Sequence, residues 1–503
     1  MGDAAVGAET GAGQRADPRA QAPRRLFALL TRRELLTLAV ITAFAGAVRF
    51  AFLDQQSFWF DEAVTVHLVR KSLGGMLGAL PGTESTPPLY YVLAWFWSRV
   101  FGTGEVELRA LSALFGTATV PVVYALGRVF ASHRAGVFAA LLVTCSPLLI
   151  WYSQEARSYA LLTLLASLSV LAFELARRRP AGRELAGWAV VAALALATHY
   201  FAVFVVAAEA IWLLAEHARR RAVLVAVGAV TATGAALLPL ALHQEGTNQT
   251  WWITAAPLSS RVRQTVTQFV TGAYTPPHRG AHLLAAATVV VLAAVMWRLG
   301  KRERRAAGVV FFFGAVTMVA SLALAPTRLD KFFYRNLIGS WPLFAVGLAI
   351  VLASLAARRV GNALVAVACV IELGALAMIL YRPALQRDDW RTATQALVPT
   401  AGPLVIVTNP SFDRLPIELY RPNVRSLPSP GVKSRELVFL GFSRLPLDLV
   451  PPAGFAAVEE RRIQHIAFVR YRAPRPVMVT PREIAAHSSF TEAGVLWAPA
   501  RRG

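Results

Sequence analysis

Trp59-Phe60-Asp61-Glu62 sets two adjacent carboxylates just past the first long apolar run of the chain. Ionisable groups beside a bilayer are costly and are kept where they are used. On a helix, neighbouring side chains diverge by about 100°, so the two acids hold separate jobs. One can act as general base toward a hydroxyl, while the other binds a cation, an arginine or an acceptor. Trp59 and Phe60 form an apolar collar that would desolvate a carboxylate and raise its pKa. The plainer alternative is an interfacial acidic pair that faces water.

Further polar residues recur at the ends of apolar runs: Arg109, then Gln154, Glu155, Arg157 and Tyr159, then His199 and Tyr200, and finally Arg328, Lys331, Tyr334 and Arg335. Arginine and lysine make strong charge-assisted bonds to phosphate oxygens, arginine in a bidentate way. Arg335 is the first choice for such a cradle, because it stands at the mouth of an apolar run. Each of these cations also reads as an interfacial anchor. Arg109 has a further option, pairing with Asp61 or Glu62 to hold their loop in shape. Glu84 and His199 are weak candidates for a metal, since a lone histidine is more often structural than a ligand. Trp251, Trp252 and Tyr274 read as interface belt residues before they read as a sugar-stacking platform.

The elements that must position these residues are membrane spans. The chain of 503 residues is 56% hydrophobic and 16% charged, too apolar for a soluble protein of this size. Apolar runs fall at about 35–53, 109–130, 135–152, 158–176, 185–199, 200–217, 221–242, 281–298, 307–326, 337–357 and 361–381, which predicts about 11 transmembrane helices. The net charge of +22 does not indicate nucleic acid, because the arginines sit in short clusters between apolar runs. Residues 88–102 are short, aromatic and carry Arg99, so they predict an interfacial helix and not a span. With 88–102 outside the count, the clusters at 128–134, 177–179, 219–221, 301–305 and 358–359 all face the cytoplasm. The same parity puts the N-terminus in the cytoplasm. It also gathers Asp61, Glu62, Arg109, residues 152–157, His199 and residues 331–335 at the opposite surface. Cys145 and Cys369 lie inside apolar runs, which argues against a disulfide framework or a cysteine zinc site.

Three regions are therefore expected: a disordered cytoplasmic tail (1–34), an all-α polytopic membrane domain (35–381) with a first outer loop at 54–108, and a small extracytoplasmic α/β domain (382–503). In the last, residues 404–408, 437–442 and 466–471 read as strands, and 387–397 and 414–420 as short helices.

The pattern Phe58-Trp59-Phe60-Asp61-Glu62-Ala63, then Thr86-Pro87-Pro88-Leu89-Tyr90-Tyr91, then 108–116 (LRALSALFG) resembles bacterial relatives of the protein O-mannosyltransferases, a group that includes the lipid A aminoarabinose transferase. Residues 153–159 (SQEARSY) and 198–201 (THYF) resemble further segments of this group, and the resemblance runs over about 35–360. It implies a GT-C fold in the cell membrane and transfer of a sugar from a polyprenyl-phosphate donor to a protein, lipid or polysaccharide acceptor. Because phosphate leaves without needing a proton, it implies one base instead of an acid/base pair of carboxylates, and inversion at the anomeric carbon. By similarity Asp61 is the base and Glu62 its helper, with Glu155 as the second acidic residue of the group. Some relatives bind a divalent cation and others do not, so metal dependence stays open. A transporter or flippase of lipid-linked substrates is the alternative, though its polar groups would be expected near the midplane.

Overall fold

A computed structural model describes residues 30–272, 279–399, 402–409, 414–442, 451–486 and 494–499. Most of the expected N-terminal tail and Tyr274 lie outside the described residues.

Helix α1 (Arg32–Phe50) opens with a capping box, in which the Glu34 amide donates to Thr31 Oγ1 and the Thr31 amide donates to the Glu34 carboxylate. The segment 54–108, expected as an outer loop, then forms three short helices, α2 (Phe60–Val69), α3 (Leu73–Thr83) and α4 (Leu89–Phe101). Helix α4 begins directly after Pro88, since Pro87 and Pro88 lack amide donors and cannot continue a helix from upstream. Its 13 residues span about 20 Å, short of a hydrocarbon core of about 30 Å.

Helices α5 (Glu105–Phe130), α6 (His133–Cys145), α7 (Pro147–Ser153) and α8 (Tyr159–Arg178) form the buried centre of the bundle. A single run was expected over 135–152. Instead Ser146 caps α7, Pro147 removes an amide, and the two pieces meet at 62°. Helices α5 and α6 cross closely because both carry glycine at the contact. A Cβ on Gly127 would sit 2.7 Å from the Gly136 nitrogen, and one on Gly136 would sit 2.6 Å from the Tyr124 carbonyl oxygen.

The remaining bundle comprises α9 (Gly182–Thr198), α10 (Ala202–His217), α11 (Arg221–Gly246), α12 (Trp251–Ala255), α13 (Leu258–Thr271), α14 (Arg279–Arg298), α15 (Lys301–Leu324), α16 (Trp341–Ala353) and α17 (Arg358–Tyr381). Among the described residues five helices are long and apolar enough to cross a membrane, or six if α6 and α7 form one broken span. Residues 282–298 and 338–353 are shorter apolar helical stretches. Among the described residues the expected count of eleven is thus not confirmed by length and composition: α9 and α10 have 17 and 16 residues, and the run at 135–152 is broken at Pro147.

After α17 come α18 (Trp390–Gln395), β1 (Leu404–Asn409), α19 (Arg414–Tyr420), β2 (Arg425–Ser426), β3 (Val432–Gly441), β4 (Ala456–Ile463), β5 (Ile466–Val479), α20 (Pro481–Ala486) and β6 (Gly494–Ala498). The strands make one sheet in the order β2-β6-β1-β3-β5-β4. Among the described residues only the β1–β3 pairing is parallel, with Val405 opposite Leu437. Alternate residues of β1 face two cores: Leu404 and Ile406 pack with Trp390 and Phe468, while Val405 and Val407 pack with Phe439 and Val469.

Candidate active site

Asp61 and Glu62 begin α2 and, as their divergence requires, enter different environments. Glu62 is fully buried and belongs to Arg109 of α5. Arg109 Nε donates to Glu62 Oε1 at 2.7 Å and Nη2 donates to Oε2 at 2.6 Å. The other Arg109 donors go to the carbonyls of Leu53 (2.7 Å), Gln56 (2.6 Å) and Ser57 (3.0 Å). All five guanidinium N–H groups are thus used, two on Glu62 and three on the segment that leads into α2. The Ala156 amide adds a 2.9 Å bond to Glu62 Oε1. Burial alone would raise the Glu62 pKa, but the Arg109 charge and these bonds outweigh it and hold the carboxyl below its ordinary value. The pairing option for Arg109 is the arrangement found, and both side chains are buried in it.

Asp61 points the other way. Its Oδ2 accepts from Arg335 Nη1 at 2.9 Å, and the two side chains are 13% and 14% exposed. The Arg335 guanidinium lies 4.6 Å from the Trp252 ring centroid, 5.7 Å from Trp59, 5.8 Å from Phe333 and 5.9 Å from Tyr159. An ion pair is therefore set in an aromatic collar drawn from four separate chain segments. Trp252, read first as a belt residue, faces this pair, whereas Trp251 is 53% exposed.

Arg157 supplies a second cation. Its Nη1 donates to the Asp61 carbonyl at 3.3 Å, and its guanidinium engages Glu84 in a bidentate pair, with Nη2 to Oε2 at 2.8 Å. Glu84 is thereby spoken for as a carboxylate partner. Glu155 is buried nearby, with Oε2 accepting from Arg387 Nη2 at 3.1 Å and Oε1 lacking a partner. Burial pushes its pKa up to about 7, against the lowering effect of Arg387. His199 is buried against the Tyr159 ring, with Nδ1 accepting from the Phe201 amide at 3.2 Å and Nε2 unpaired. Among the described residues no group of three or more histidines, cysteines and acids could hold a metal ion.

Other expected site residues serve the frame. Gln154 Nε2 donates to the carbonyls of Val48, Arg49 and Ala51, closing the end of α1. The Tyr200 hydroxyl donates to Gln244 Oε1 at 2.7 Å, which ties the turn between α9 and α10 to α11. Lys331 pairs with Glu245 at 3.2 Å, Tyr334 is buried against Phe333, and Arg328 is exposed.

One component was missed from sequence. Arg261 of α13 grips Asp330 with Nη1 at 2.8 Å and Nη2 at 2.5 Å, and Nη1 also donates to the Phe332 carbonyl at 2.8 Å. This fixes the segment that presents Arg335. The unusual polarity of 258–271 between apolar runs was the available signal, since a buried arginine needs a partner.

Residues 85–243 match the family described as dolichyl-phosphate-mannose-protein mannosyltransferase. The fold is similar to that of ArnT from Cupriavidus metallidurans in the apo state, with a TM-score of 0.55 and 13% identity over 86% of this chain and 97% of that one. The same protein bound to undecaprenyl phosphate aligns with a TM-score of 0.53 and 14% identity, over the same shares of the two chains. No curated protein matches the chain. The chain therefore shares the fold of ArnT, a helical bundle with several helices long and apolar enough to cross a membrane, followed by a C-terminal sheet domain.

Proposed function

We propose that this protein is an inverting glycosyltransferase that moves a sugar from a polyprenyl-phosphate donor to a hydroxyl of a cell-envelope or protein acceptor at the outer face of the membrane. The observation that carries the reading is the Asp61–Arg335 pair inside its aromatic collar. A carboxylate base and a phosphate-binding cation are the two groups that this transfer needs, and here they touch. The ArnT structure with undecaprenyl phosphate, which shares the fold, supports a lipid-linked donor.

In this reading the donor phosphate competes with Asp61 for Arg335. Once released, the Asp61 carboxylate accepts the proton of the acceptor hydroxyl as its oxygen attacks the anomeric carbon. The sugar–phosphate bond breaks on the opposite side, and the polyprenyl phosphate leaves with its negative charge held by Arg335. Glu62 and Arg109 shape the loop instead of touching substrate, Arg157 orients the Asp61 backbone, and Tyr159 and Trp252 wall the site.

The test is Asp61→Asn in purified protein in nanodiscs, offered radiolabelled polyprenyl-phosphate sugars and envelope acceptors. Loss of the base should cut transfer by about 10²–10⁴-fold while binding of undecaprenyl phosphate is retained. Unchanged turnover would sink the assignment.

A further inference from the structure

The segment that leads into α2 is held from outside the helical bundle. The Gln56 Oε1 accepts from the Arg387 amide at 2.8 Å. Ser57 Oγ donates to the Asp388 carbonyl at 2.9 Å and accepts from the Trp390 amide at 3.0 Å. The Phe58 amide lies 2.6 Å from the Tyr420 hydroxyl and 3.2 Å from Glu105 Oε1. Three consecutive residues, immediately before the helix that bears Asp61, are thus tied to residues 387–420.

Glu105, in the first turn of α5, is the hub of this contact. Its Oε1 accepts from the Tyr420 hydroxyl as well as from Phe58, and its Oε2 accepts from Arg391, which also donates to the Asp54 carbonyl at 2.9 Å. On the far side the same residues are anchored in the sheet: the Trp390 ring is fully buried in the core with Leu404, Ile406 and Phe468, and Tyr420 packs against that core. Arg387 extends the contact to the neighbouring loop through Glu155 and through the Trp151 ring 4.1 Å away. A loop without regular structure keeps a fixed course when its backbone groups are bonded to a packed body, and a reacting group needs placement to within a fraction of an ångström.

We propose that the C-terminal sheet domain is a positioning element of the reaction centre: through Ser57, Phe58, Glu105, Trp390, Arg391 and Tyr420 it fixes the start of α2 and with it Asp61. This rests on the glycosyltransferase reading for the role of Asp61, but the contact itself can be judged apart from it. Tyr420 and Arg391 are positioning residues, since neither touches Asp61.

The experiment uses the full chain in nanodiscs and compares Tyr420→Phe, which keeps the ring and removes the hydroxyl, with Arg391→Ala and with the surface control Arg435→Ala. Amide hydrogen exchange over residues 57–62 should speed up by about tenfold or more in the first two, with α5 and the sheet strands unchanged and the control like the parent. Transfer should fall by about tenfold while the dissociation constant for undecaprenyl phosphate stays within about twofold, and Arg391→Lys should recover part of the loss. Exchange that stays at the parent rate in both variants would overturn the proposal, as would faster exchange with unchanged transfer. If the parent chain moves no sugar from any polyprenyl-phosphate donor, the glycosyltransferase reading fails. The exchange result then decides on its own whether the sheet domain holds the loop.

Discussion

At the residue scale, neighbouring acids receive different chemistry from their surroundings. Both oxygens of Glu62 are bonded to Arg109, whereas Glu155 keeps one oxygen unpaired in a buried setting. Burial raises the Glu155 pKa to about 7 from the ordinary carboxyl value near 4.5, so the folded chain binds more protons than the unfolded chain between those values. Its contribution to stability is therefore fully present below about 4.5 and is lost as pH rises through about 7. The thermal midpoint in detergent should fall over this window, and Glu155→Gln should flatten that part of the profile. An identical profile in the variant would show that Glu155 is not the titrating group. Asp61 was conspicuous in sequence as a charge beside an apolar run, but of the rings around its pair with Arg335 only Trp59 was expected there; Tyr159, Trp252 and Phe333 come from segments that only the fold brings together. The commitment of Glu62 to Arg109 was visible only as one option among several, since which acid faces which arginine depends on the rotation of α2.

At the element scale, the bundle depends on close helix approach and on breaks. The α5–α6 crossing leaves no room at Gly127, where a Cβ would also come within 2.8 Å of the Ala135 carbonyl oxygen. Gly127→Leu should destabilise the protein by about 1–3 kcal/mol through forced backbone shifts. Thermal unfolding in detergent would register this as a lowered midpoint, and a midpoint equal to the parent's would refute the crowding argument. The elements most poorly anticipated from sequence are β4 and β6. Strand β4 (AAVEERRI) is a charged, mostly exposed edge strand, so it shows no period-two burial to read. Strand β6 has five residues and pairs with β1 almost ninety positions away, a partnership that local pattern does not encode. By contrast β1, β3 and β5 run through the sheet interior, and their apolar content announced them.

For the whole molecule, the parity of crossings decides which groups share a surface. With α4 outside the count, the parity reading expects Thr83 and Arg220 on opposite sides of the membrane. Single cysteines at these exposed positions, in a background with Cys145 and Cys369 replaced by alanine, should react with an impermeant maleimide from opposite sides. Labelling of both from one side would overturn the topology. Residues 54–58 and their partners at 387–391 are about 331 positions apart in the chain. During synthesis at about 5–20 residues per second, the first outer loop therefore waits on the order of tens of seconds for its clamp. A chain still on the ribosome would carry Asp61 across the membrane well before it could hold it in place. On the proposed reading, chains that end before residues 387–391 are expected to be inert toward the donor.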